Sequence, residues 1–168
     1  LIWNSVPTSN AQAAHVVIGQ ADFVTSVHDT TSVIMKYPSG VATDGTRLFV
    51  SDSNSNRILI YNTVPTSSGV AADHVIGQPD FTSNSNGTSS TQFDWPAGIA
   101  TNGTIFAVAD SGNNRVLIWN SIPTSNATPA DVVIGQANFT SNGYATSATE
   151  MNWPEGVKIV GTKLLVND

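Results

Sequence analysis

A repeat of 58 residues constrains this chain more than any other feature, because a fold built from copies of one unit must give each copy an equivalent environment. Val17-Ile18-Gly19-Gln20 returns as Val75 to Gln78 and again as Val133 to Gln136. Other columns keep the same spacing without a gap: Trp3, Tyr61 and Trp119; Phe23, Phe81 and Phe139; Pro38, Pro96 and Pro154; Gly40, Gly98 and Gly156; Asp52, Asp110 and Asp168. The chain therefore reads as one repeat domain over 1–168, with repeats at 1–58, 59–116 and 117–168, the last of them truncated.

Within each repeat the apolar segments are short and bounded by turn residues, which selects strands over helices. Gly40 to Thr43 leads through Asp44-Gly45, a dipeptide suited to the positive φ of a tight hairpin, into Arg47 to Val50. Asn102-Gly103 makes the equivalent turn in the next copy. A polar loop, Ser51 to Asn56, connects to Arg57 to Tyr61, and a Pro/Ser/Thr-rich link leads on to His74 to Gly77. The expected unit is a four-stranded antiparallel meander. Ile58 to Tyr61 and Val116 to Trp119 are apolar at every position, so both faces of those strands should be covered. Sheets stacked face to face about an axis supply that cover, and the expected fold class is an all-β propeller.

Pro38 to Gly45, then Leu48 to Ser53, then Asn56 to Asn62 resemble an NHL repeat, and Pro96 to Asn120 is similar, with the fuller loop Ala109-Asp110-Ser111-Gly112-Asn113-Asn114-Arg115. The long link Pro65 to Asp73 and the Val-Ile-Gly-Gln signature depart from the shorter common form of that repeat. The resemblance implies a β-propeller. It also implies two roles known among such propellers, enzymes holding a metal in the central channel and RNA-binding modules. A channel metal needs His, Asp or Glu on the innermost strands, and Val41-Ala42-Thr43, Ile99-Ala100-Thr101 and Val157-Lys158-Ile159 offer none. An RNA surface needs a basic rim, against which 12 acidic and 6 basic residues give a net charge of −6.

Counting strands gives three blades' worth per chain: two complete blades and a half blade at each end, too few to close a ring alone. Three arrangements are open. Two chains pair their half blades into a six-bladed ring, the segment is part of a longer propeller, or head-to-tail contacts run on as an extracellular fibre.

The remaining chemistry is sparse. Without cysteine, neither a disulfide nor a thiolate site is available. No segment reaches the length of a membrane span, so no membrane insertion is expected. His15, His28 and His74 fall in different columns and read as scattered surface residues, and no cofactor-binding or catalytic motif is present. The expectation is a non-catalytic protein with no cofactor and no metal. Three lysines and abundant Ser, Thr and Asn suit an extracellular or cell-surface setting.

The recurrent polar loops carry the candidate rim contacts Asp52, Asn56, Arg57, Asp110, Asn114, Arg115 and Asp168, able to meet a protein or glycan ligand or simply to cap their own turns. The latter is favoured because the loop recurs in every copy. The aromatic column Tyr37, Trp95 and Trp153 fits a carbohydrate platform or, the favoured reading, packing between blades. Asn86, Asn102, Asn126 and Asn138 stand in glycosylation sequons.

Overall fold

The computed structural model of the protein describes residues 1–145 and 147–168. It is all-β and antiparallel. The strands β1 (Pro38–Thr43), β2 (Leu48–Asp52), β3 (Arg57–Tyr61) and β4 (His74–Ile76) form one sheet in the order β1-β2-β3-β4. β5 (Pro96–Thr101), β6 (Phe106–Asp110), β7 (Arg115–Trp119) and β8 (Val132–Ile134) form a second in the order β5-β6-β7-β8. β9 (Gly156–Val160) and β10 (Lys163–Asn167) make a two-stranded hairpin. Within each sheet, every connection joins strands that are neighbours in it, as the meander expectation required.

The register repeats as the sequence does. Leu48 pairs with Tyr61 and Asp52 with Arg57 in the first sheet, and Phe106 pairs with Trp119 and Asp110 with Arg115 in the second. At the N-terminus an isolated bridge joins Ile2 to Val16, the columns that pair as Ile60 with His74 and Ile118 with Val132. Leu1 to Trp3 and Val16 to Ile18 therefore occupy the columns of β3 and β4, and β9 and β10 those of β1 and β2.

Both faces of the central sheets are covered. One face of the first sheet, with Phe49, Ile58, Ile60 and Ile76, meets Phe106, Val108, Leu117 and Trp119 of the second in a single core. Phe49 lies 4.8 Å from Phe106 between ring centroids, and Phe106 5.7 Å from Trp119. The opposite face, with Leu48, Val50, Leu59, Tyr61 and Val75, packs on Ile2 and Ile18 of the N-terminal segment. That is why β2, β3 and β6 are buried at every position, whereas β10 alternates exposed and half-buried.

Successive sheets are also sewn together along the edges formed by β1, β5 and β9. Gly98 donates its N–H to Glu155 O at 2.9 Å, and a Cβ on Gly98 would lie 2.6 Å from that same oxygen, so the close approach requires glycine. Ser51 Oγ donates to Ala97 O and Ser53 Oγ to Pro96 O, both at 2.6 Å; Ser111 Oγ repeats the second contact on Pro154 O. At the outer edge, β4 is closed by the long link of the next repeat. Val75 N donates to Asn126 Oδ1 and Val75 O accepts from Ala127 N, each at 3.0 Å. A sheet edge that would otherwise invite pairing is thereby occupied.

Candidate functional site

The polar loops between second and third strands are built around a turn that only certain residues allow. After Asp52, Ser53–Ser55 form one turn of 3-10 helix, and Asn56 takes the left-handed conformation at φ 50°, ψ 46° before β3 resumes at Arg57. Ser111–Asn113 and Asn114, at φ 53°, ψ 44°, repeat it. Asparagine is among the few L-residues that tolerate this region.

The charged groups of these loops point inward. Asp52, Arg57, Asp110 and Arg115 are each fully buried. Asp52 Oδ2 accepts from Arg57 Nε at 3.0 Å and Nη2 at 2.9 Å, while its Oδ1 accepts the N–H groups of Lys36 and Tyr37. Arg57 spends its remaining donors on Phe81 O and Ile34 O. In the second loop Arg115 Nε donates to Asp110 Oδ2 at 2.7 Å, and its terminal nitrogens reach the carbonyls of Thr88, Ser89, Gln92 and Phe139. Burial pushes the Asp110 carboxyl up to about 6, against the opposing pull of Arg115, the Asn113 amide and the Asp94 N–H. The hydrogen-bonding groups of the pair are turned to partners within the protein.

Asn56 and Asn114 act across the boundary between repeats. Asn56 Oδ1 accepts the N–H of Trp95 at 2.8 Å, and Asn114 Oδ1 accepts that of Trp153 at 2.9 Å. Their amide nitrogens hold Asn84 O and Asn142 O. Asp168 Oδ1 likewise accepts the N–H of Asn152 at 2.6 Å. Of the seven candidate rim contacts, the four members of the two ion pairs lie inside the protein. The two asparagines and Asp168 hold backbone that precedes the inner strands.

What that framework presents is aromatic. Tyr37, Trp95 and Trp153 remain 57%, 37% and 48% exposed. The expected packing of this column between sheets is met only in part: Tyr37 touches Trp95 at 5.7 Å between centroids, inclined by 37°, and each ring keeps a large open surface. Trp95 and Trp153 also adopt positive φ, 53° and 60°, a conformation a bulky residue takes only where its surroundings impose it. In both residues the backbone N–H is the one held by the side chain of Asn56 or Asn114. Between the two tryptophans lies a cleft of about 300 Å³, bounded also by Gly40, Gly98, Ser111 and Glu155. Glu155 replaces the Ser39 and Ala97 of the other repeats and brings the only ionisable group to that cleft.

The Asn clamp was not legible in the sequence, since its partner lies 39 residues ahead. The role of the Val-Ile-Gly-Gln signature was equally hidden. Gly77 sits at φ +87° with Phe93 where a Cβ would be, and Gln78 Nε2 binds Asn56 O at 2.9 Å and Ser85 O at 2.7 Å. Gln136 repeats the contact on Asn114 O at 3.0 Å. The signature braces the same turn that carries the clamp.

The sequon asparagines Asn86, Asn102, Asn126 and Asn138 are all exposed. Among the described residues, no three His, Cys, Asp or Glu side chains gather as a metal would need. No protein-family model matches the chain, and no curated protein is detectably similar to it.

Proposed function

We propose that this chain is a non-catalytic binding scaffold of NHL-like β-propeller repeats, at work outside the cell or on its surface, and that its ligand is a glycan held on the aromatic rim. The observation that carries the reading is the column Tyr37, Trp95 and Trp153, open to solvent and presented by buried, fully bonded turns. Faces of Trp and Tyr are suited to the apolar faces of sugar rings, and a rigid support avoids ordering costs on binding. The Glu155 carboxylate, on a residue lining the same cleft, is a group able to accept from sugar hydroxyls.

The propeller arrangement is supported by equivalent sheets packed face to face, with β1, β5 and β9 adjacent along one edge. A solved structure in which successive sheets are not related by rotation about a common axis would sink that part. The extracellular setting is supported by the scarcity of lysine, the abundance of Ser, Thr and Asn, and the four exposed sequons.

The ligand reading is tested by titrating the protein with neutral and acidic oligosaccharides while following tryptophan fluorescence. The expected result is a saturable change that Trp95→Ala and Trp153→Ala each reduce at least tenfold in affinity. A flat response across the whole panel would overturn it.

A further inference from the structure

We propose that Asn142 is a site of spontaneous covalent modification, where the backbone closes on the asparagine side chain, ammonia leaves, and an isoaspartyl linkage forms within the support of Trp153. The proposal depends neither on the blade arrangement nor on the glycan.

The chemistry begins in the sequence. Asparagine is a thermolabile residue, and most so before glycine, which carries no Cβ to hinder its amide nitrogen. Three such pairs occur, Asn86-Gly87, Asn102-Gly103 and Asn142-Gly143. The glycine nitrogen attacks the asparagine Cγ, and its proton leaves with the side-chain amide as ammonia, closing a cyclic imide. Water then opens one of the two imide C–N bonds. Opening at Cγ leaves an aspartyl residue on an unchanged main chain. Opening at the main-chain carbonyl leaves an isoaspartyl residue: the chain now runs through Cβ and Cγ, and the former carbonyl is a free carboxylate.

The fold separates the three pairs. Attack requires the glycine nitrogen and the asparagine Cγ to turn towards each other, and in two pairs both groups are tied elsewhere. Asn102 Oδ1 accepts the N–H groups of Thr104 and Ile105 at 3.0 and 2.8 Å, while Gly103 donates its own to Thr101 Oγ1 at 3.0 Å. Asn86 Nδ2 donates to Asp94 Oδ2 at 3.2 Å, and the Gly87 N–H to Phe93 O at 3.0 Å. Asn142 and Gly143 are both exposed. Among the described residues they are held by their carbonyl oxygens alone, with no partner for the Asn142 side chain or the Gly143 N–H. A Cβ on Gly143 would meet nothing within 4 Å, so the space around the attacking nitrogen is open.

Those carbonyls link the pair to the aromatic column. Asn142 O accepts from Asn114 Nδ2 at 3.0 Å, and Gly143 O from Gln136 Nε2 at 2.5 Å. Asn114 holds the Trp153 N–H through Oδ1, and Gln136 Nε2 also donates to Asn114 O. The carbonyl that becomes a carboxylate in the isoaspartyl product is therefore the one Asn114 grips. The methylene added to the chain beside it displaces Gly143 O from Gln136. The aspartyl product keeps both carbonyls in place, so only the isoaspartyl form alters the support of Trp153.

The test ages the folded 168-residue chain at mildly alkaline pH. Peptide mapping by mass spectrometry locates each converted asparagine, and enzymatic methylation of isoaspartyl groups counts the isomer. Asn142 should react at least tenfold faster than Asn86 and Asn102, and denaturant should bring the three rates together. Gly143→Val, whose side chain has room, should slow the reaction at least tenfold by crowding the nucleophile. Trp153 emission, identified with Trp153→Phe, should shift as the isoaspartyl fraction grows and stay at the parent value in Asn142→Asp. Asn86 or Asn102 keeping pace with Asn142 in the folded chain overturns the site, a result that needs no variant. So does a Gly143→Val protein that reacts as the parent does. An isoaspartyl form with unchanged Trp153 emission overturns the link to the aromatic column.

Discussion

Phe49, Ala107 and Leu165 hold the same position in three successive copies, yet the first two are fully buried and the third is 52% exposed. The difference lies in the neighbour. Phe49 and Ala107 each have another sheet packed on their face, whereas Leu165 has none. A strand here is buried because of the sheet beside it rather than because of its own composition, so stability in such a stack resides largely in the interfaces between copies. The central sheets and the terminal hairpin are the two ends of that scale.

The sharpest way to break this comparison is to make one change in both places. Phe106 and Leu164 share a column, but Phe106 sits in a three-ring contact with Phe49 and Trp119 while Leu164 is half-buried. Phe106→Ala should cost about 4 kcal/mol, from lost transfer energy and the cavity left behind. Leu164→Ala should cost about 1 kcal/mol, since less area returns to water. Denaturant unfolding measures both, and equal losses would contradict the assignment of stability to the interfaces.

The ion pairs give the next largest contrast. Asp110→Asn leaves the buried Arg115 guanidinium without its counter-charge and should cost about 3 kcal/mol at pH 7. Asp168, in the same column, holds one backbone N–H and faces no arginine among the described residues. Asp168→Asn should therefore change stability by roughly 0.5 kcal/mol or less. Thermal unfolding of the two variants decides it.

The third contrast concerns the two interfaces themselves. Phe49 fills the first, but its counterpart in the second is Ala107, and a cleft of about 130 Å³ remains there among Ala107, Ile118, Ile159 and Leu164. Ala107→Leu should fill part of it and raise stability by about 1 kcal/mol. A loss instead would mean that the hairpin cannot move to accept the added carbons.

The strands and their order were legible because they depend on local alternation, turn dipeptides and a fixed repeat length. Asp44-Gly45 alone sets the first hairpin, whose tip the Asp44 carboxylate ties to the N–H groups of Thr46 and Arg47. Less was legible at the candidate site. The Asp and Arg of the polar loop were visible as a recurrent pair, but no local pattern reports that Arg115 would find five oxygens belonging to Asp110, Thr88, Ser89, Gln92 and Phe139. Nor does one report that the N–H of a tryptophan followed by proline would be held by an asparagine of the preceding repeat. Contacts between copies follow from how sheets stack, and periodicity within one copy carries no record of that geometry.

The smallest expected effect lies in a surface turn where two copies differ by one atom type. Asp80 Oδ1 accepts the N–H groups of Thr82 and Ser83 at 2.8 Å, and Asn138, 58 residues on, makes the same turn with Thr140 and Ser141 at 2.9 and 3.0 Å. Those donors favour the charged form of the aspartate and hold it down to about 2 from an ordinary 3.8. A carboxylate depressed in the folded state binds fewer protons than in the unfolded one between these values. Its contribution is therefore complete above the unfolded value and disappears as pH falls from about 4 to about 2. Asp80→Asn should leave stability near that of the parent at pH 7, since Asn138 shows that an amide serves the turn. On acidification the parent should lose ground to the variant within that window. A carboxyl titration by NMR with its midpoint at 3.8 would remove the difference between the two copies, and with it the reason for the acid sensitivity.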